Sequence, residues 1–153
     1  MDPGESDLER PLNHRGERDA PLTGERLKEQ GIAPDCIVCS PAVRARMTAI
    51  LIANALGYDP GRILIQNEVY EHGQAALMKL IQGFNQNWHR VFLIGHNPDL
   101  THLINRLSGE NITHLPTCGV ASIEFAADDW SHIMEGSGRL EFFDYPKRHV
   151  KTP

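Results

Sequence analysis

Two places in this 153-residue chain join a short apolar run to residue types that grip anions. At the first, Cys36-Ile37-Val38-Cys39 leads into Ser40-Pro41, and Arg44 follows within the opening turns of the helix that Ser40 and Pro41 start. Serine caps a helix N-terminus, and proline suits the first helical position. At the second, Val91-Phe92-Leu93-Ile94 ends at Gly95-His96-Asn97-Pro98, the same order of strand, cap and proline. In an open α/β sheet, ligands bind beyond the carboxyl ends of the strands, where helix N-termini present free N–H groups. Arg44 can reach back over its strand end and hold a tetrahedral oxyanion through two parallel hydrogen bonds. His96 stands beside the N–H groups that begin at Asn97. An arginine, a histidine and helix N-termini around one point suit phosphate better than carboxylate, because three oxygens need several donors and developing charge needs cations.

The elements that must position these groups read as alternating strands and helices. Arg15 to Gln30 is rich in helix formers, interrupted by Pro21 and closed by Gly31. The helix opened by Ser40-Pro41 runs to about Leu56, where Gly57 ends it. Ile63-Leu64-Ile65 is a second apolar run, Gln74 to Asn87 carries Leu77, Leu80, Ile81 and Phe84 at helical spacing, and Val91 to Ile94 is a third strand. Leu100, Leu103, Ile104 and Leu107 then mark one face of a helix that runs to Ser108. Val120, Ile123 and Phe125 in one strand and Leu140, Phe142 and Phe143 in another suggest an antiparallel ribbon at one side of the sheet. Apolar strands between helices imply a mainly parallel sheet covered on both faces, a single domain over residues 1–153 in an α/β sandwich of three layers.

Composition narrows the partners. Fifteen basic against twenty acidic residues leave a net charge of -5, which disfavours nucleic acid or an acidic membrane as a general partner. No apolar run is long enough for a membrane span and the first ten residues are polar and acidic, so a cytoplasmic address is expected. Cys36 and Cys39 could be half of a zinc knuckle, but period 2 sends them to opposite faces of a strand, so they are expected as small core residues, and all three cysteines are expected to be reduced. The remaining histidines show no metal spacing; no metal or cofactor is expected.

Longer stretches add specificity. Asp7-Leu8-Glu9-Arg10-Pro11-Leu12-Asn13 with Arg15-Gly16, Pro34-Asp35, Ser40-Pro41-Ala42-x-Arg44-Ala45-x-x-Thr48-Ala49, Gly95-His96-Asn97-Pro98 and Leu115-Pro116-Thr117-x-Gly119-Val120 stand in an order and spacing that resembles the histidine phosphatase superfamily, and most closely its small SixA-type phosphohistidine phosphatases. The resemblance implies a phosphoglycerate mutase-like fold and an enzyme that takes phosphate from a phosphorylated histidine, on a phosphotransfer protein or a small phospho-compound, without a metal. Under it, Arg44 binds the phosphoryl group and His96 hydrogen-bonds it and stabilises the transition state. Asp7 would manage a proton for the leaving group, Glu71 is where larger relatives place a general acid, and Arg10, Asn97 and Ser40 would contact substrate.

One part of the family pattern is absent. Its members begin with an apolar strand, central to the sheet, that ends in Arg-His-Gly or Arg-His-Ala and supplies the nucleophilic histidine. Here Met1-Asp2-Pro3-Gly4 aligns with the loop after that strand, and His14-Arg15-Gly16 has no apolar strand before it. The expectation is a phosphatase domain in which these residues alone give negligible turnover. The alternative is a non-catalytic phosphate- or phosphoprotein-binding module that keeps the Arg44 and His96 cradle.

Overall fold

The computed structural model describes residues 6–149 except residue 71, so Glu71, the expected general acid, lies outside the described residues. Helix α1 (His14–Glu29) opens at Asn13, whose side chain accepts the Gly16 N–H. The expected interruption at Pro21 does not end it. Proline removes one N–H from the helical ladder, while Ala20, Thr23, Gly24 and Leu27 bury a continuous face across it. Gly24 is small because helix α2 (Val43–Leu56) lies against it: a Cβ there would sit 2.7 Å from the Ala55 Cβ.

Strands β1 (Cys36–Cys39), β2 (Leu64–Ile65) and β3 (Val91–Ile94) form a parallel sheet in the order β2-β1-β3. Helices α3 (Gly73–Gln82) and α4 (Asp99–Ser108) cover the face carrying Cys36 and Val38, through Leu77, Ile81, Leu103 and Leu107. The other face, with Ile37 and Cys39, packs on Ala49 and Ala53 of α2. These are the three layers expected, and the two cysteines do fall on opposite faces.

Two boundaries differ from expectation. Helix α2 starts at Val43 with Ala42 as a cap that makes no side-chain bond, because the Ser40 hydroxyl is spent on the Ala42 N–H at 3.1 Å. Helix α3 ends at Gln82, not Asn87. Gly83 terminates it, and Phe84 reaches the core from the following turn, edge-on to Trp130.

Strands β4 (Val120–Phe125) and β5 (Gly138–Asp144) pair antiparallel, with a bulge between Ser122 and Ile123. Among the described residues this ribbon is a sheet of its own and does not hydrogen-bond to β3. Between β3 and β4 runs a cavity of about 980 Å³ whose walls include Leu27, Ile52, Leu103 and Leu107. A strand occupies ~160 Å³ per residue, from its rise, its spacing and the distance between layers, so the cavity has room for about six extended residues. It lies where a central strand would join the two sheets, and its lining includes Arg44 and His96. No helix among the described residues is long and apolar enough to cross a membrane.

Candidate active site

Parallel pairing of β1 with β3 sets Cys39 opposite Ile94, and the Ser40 N–H donates to the Ile94 carbonyl at 3.1 Å. The chain therefore leaves both strands at the same level. Arg44 comes from the first turn of α2 and His96 from the loop before α4, and their side chains meet: Nη2 of Arg44 is 3.3 Å from Nδ1 of His96. The pair expected to converge does so.

The N-terminal turn at residues 7–9 closes over this pair. Arg44 Nη1 donates to the Asp7 carbonyl at 2.7 Å, and Nη2 donates to Asp7 Oδ2 at 3.1 Å. Arg10 pairs with the other Asp7 oxygen at 3.2 Å, and the Tyr70 hydroxyl donates to Oδ2 at 2.7 Å. The Tyr70 hydrogen bond, then Arg44 and Arg10, hold the Asp7 carboxyl below the ordinary carboxylate range, against the opposing effect of desolvation. Asp7 is thus ionised at neutral pH, and in this arrangement it accepts hydrogen bonds and has no proton to give a leaving group. Its carboxylate sits on Arg44 as an anion would.

His96 is surrounded on several sides. Its Nε2 is 2.7 Å from the Ser40 hydroxyl, and the Tyr70 ring meets it edge-on with centroids 5.6 Å apart. Burial and then the Arg44 charge push the His96 imidazole below its ordinary value, with Asp7 and Asp99 acting in the opposite sense. The free imidazole is neutral at physiological pH.

Two residues expected at the substrate are used otherwise by the fold. Ser40 is fully buried beneath His96. The Asn97 side chain donates to the Leu115 carbonyl at 2.8 Å and accepts the Thr101 hydroxyl at 2.7 Å, tying the loop before β4 to α4. Arg10 lines the cavity mouth with its side chain half exposed. Tyr70 escaped the sequence reading. It stands next to Glu71 beyond β2, the third parallel strand end, and that position was its one available signal. His14 is fully exposed beside Glu17 and takes no part. The thiols of Cys39 and Cys118 are raised to about 11, chiefly by burial, which leaves them protonated and poor nucleophiles.

The arrangement can hold a tetrahedral oxyanion between two guanidinium groups, a tyrosine hydroxyl and an imidazole. Residues 4–71 match the family model of the histidine phosphatase superfamily (branch 1), and the chain belongs to that superfamily, a class of phosphatases. An uncharacterized protein of Mycobacterium tuberculosis is 30% identical over 155 residues, covering 94% of each chain. The mitochondrial serine/threonine-protein phosphatase Pgam5 of Drosophila ananassae is 41% identical over 64 residues, which is 42% of this chain and 22% of that protein's length. Among solved structures, the protein histidine phosphatase SixA complexed with tungstate superposes with a TM-score of 0.78 at 25% identity, covering 97% of this chain and 91% of that one.

Proposed function

We propose that this domain recognises a phosphorylated histidine on a phosphotransfer protein, with Arg44 and Arg10 binding the phosphoryl oxygens and His96 bonding to the group as charge develops. The observation that carries this reading is the contact between Arg44 and His96 at two adjacent strand ends, with the arginine fork already occupied by the main-chain carbonyl and one carboxylate oxygen of Asp7. An oxyanion of phosphate can take the place of that carboxylate and engage the same donors. Small phospho-compounds are the second substrate class, because Arg10, Arg44 and His96 line one large cavity. His96 is the one imidazole among the described residues that touches Arg44. It already has a binding role, so these residues supply no second histidine as nucleophile. This favours phosphate binding without turnover as the second reading for the 153 residues by themselves.

A phosphohistidine peptide followed by phosphorus NMR tests both readings. The chain as it stands is expected to bind the peptide and release phosphate at the background rate. An upstream apolar strand ending in Arg-His-Gly is expected to bring hydrolysis. Ordinary turnover by the unextended chain refutes the proposed lack of a nucleophile, and absence of binding refutes the site.

A further inference from the structure

We propose that Ser40 is a positioning residue: it accepts the Nε2 proton of His96 and holds the imidazole as the neutral Nε2–H tautomer, with the Nδ1 lone pair facing the anion site. The assignment follows from what each partner is able to do. A guanidinium has five donors and no acceptor, so the 3.3 Å approach of Arg44 Nη2 to His96 Nδ1 is a hydrogen bond only if Nδ1 carries no proton. The proton of a neutral ring then sits on Nε2, which is 2.7 Å from Ser40 Oγ. A serine hydroxyl could meet Nε2 as donor or acceptor, and here it is set to accept. Its oxygen also takes the Ala42 N–H at 3.1 Å, which turns the lone pairs toward the helix start and the ring. Ser40 is 0% exposed, so water does not compete for those bonds. The tautomer of a histidine is fixed by the bond its other nitrogen makes, and Ser40 makes that bond.

Charged and titratable groups face the ring from every element around it. Arg44 approaches from α2, Asp7 and Arg10 from the N-terminal turn, Asp99 from α4 and Tyr70 from beyond β2. The two arginines oppose a positive imidazole and the two carboxylates favour it. Displacing Asp7 from Arg44 by a phosphoryl group would bring oxygens of higher charge against the Nδ1 lone pair. That contact becomes attractive only with a proton between them, carried by the phosphate or taken up by Nδ1. A phosphoryl group bonded to an organic residue carries no proton above its second ionisation, so its binding consumes one, whereas inorganic phosphate at that pH is the hydrogen phosphate dianion and brings the proton with it. This consequence rests on the proposed phosphate site, whereas the tautomer rests on the hydrogen bonds alone.

Two-bond nitrogen–proton correlation NMR of the His96 ring reports the tautomer directly. The wild-type chain is expected to show a single Nε2–H form. Ser40→Ala, a smaller residue at a buried position, is expected to lose that single form and give both neutral tautomers. An Nδ1–H ring in the wild type, or an unchanged spectrum in S40A, overturns the proposal. Should S40A not fold, S40T restores the hydroxyl and is expected to keep Nε2–H, while Arg44→Met removes the donor at Nδ1 and is expected to admit the second tautomer. A spectrum of R44M identical to wild type refutes the argument. Calorimetry of phenyl phosphate above its second ionisation, in buffers of different ionisation enthalpy, counts the proton: uptake near one is expected in the wild type and less in S40A. Binding of phenyl phosphate with no proton uptake overturns the coupling. Absence of phosphate binding in the wild type overturns the site itself and leaves the tautomer to be judged by the spectrum.

Discussion

Arg44→Lys separates the geometry of the guanidinium from its charge. In the free protein Arg44 presents two nitrogens in one direction, Nη1 to the Asp7 carbonyl and Nη2 to its carboxylate. A bound phosphoryl group would use the same fork. Lysine keeps the charge on a stem that propagates a helix almost as well as arginine, so the start of α2 survives, but its ammonium cannot span two oxygens in a plane. The loss is about one hydrogen bond to a charged group, ~1.5–3 kcal/mol. The Arg44 side chain is 20% exposed, so solvent screening removes only part of that. At 1.4 kcal/mol per decade the unscreened loss would weaken Kd about 10- to 150-fold, so with part of it screened the expected weakening is about 10-fold. Inorganic phosphate titrated calorimetrically into the wild type and R44K, both checked for folding by circular dichroism, gives the comparison. Affinity in R44K within twofold of wild type would mean that Arg44 serves as a diffuse positive charge, and the two-pronged reading would fall.

The Asp7 carboxylate occupies the donors that phosphate needs, so Asp7→Asn is expected to bind phosphate about threefold or more tightly; weaker binding in D7N would show that Asp7 builds the site instead of competing for it. Because the His96 imidazole is held below its ordinary value, the unfolded chain takes up a proton first as pH falls through the ordinary imidazole range. Stability is then expected to drop between pH 7 and pH 5 by more in the wild type than in His96→Gln, and parallel melting curves would contradict the shift. Gly24→Ala places a Cβ 2.7 Å from the Ala55 Cβ and 3.0 Å from the Ile52 carbonyl, and is expected to cost ~1–3 kcal/mol in urea unfolding despite its better helix propensity; a stabilised variant would show that α1 shifts freely on α2. Two open sheet edges face the cavity between β3 and β4, so concentration-dependent association is expected in sedimentation velocity, and a monomer at all concentrations would argue that the edges are shielded.

The junctions were legible because a parallel sheet leaves little choice. Two apolar runs that each lead through a polar residue into proline must release their chains at one edge of the sheet, and Arg44 and His96 are the basic side chains nearest those exits. Asn97 and Ser40 show what a sequence conceals. Each is a polar residue at a strand end, the type expected to touch a ligand, yet the fold consumes both side chains, one to tether the loop ahead of β4 and one beneath the imidazole. Tyr70 is the converse. Its strand, β2, is only two residues long with both side chains exposed, so the apolar signal that marked the other exits was faint. The separation of β4 and β5 from the parallel sheet also leaves no local trace, because a strand's partners are set by chain segments far away.

The closeness of Arg44 and His96 is a product of register. Strands β1 and β3 lie side by side with Cys39 against Ile94, and each exit carries its reactive residue a fixed number of positions further on. A slip of one residue between the strands would exchange the faces, sending Ile37 and Cys39 toward α3 and α4. Both faces are packed, on Leu77 and Leu103 one way and on Ala49 and Ala53 the other, so such a slip would misplace large and small residues in both layers at once. Burial on two sides therefore pins the register more firmly than a half-solvated sheet could. The 3.3 Å contact at the strand ends is held by residues that never touch the anion site.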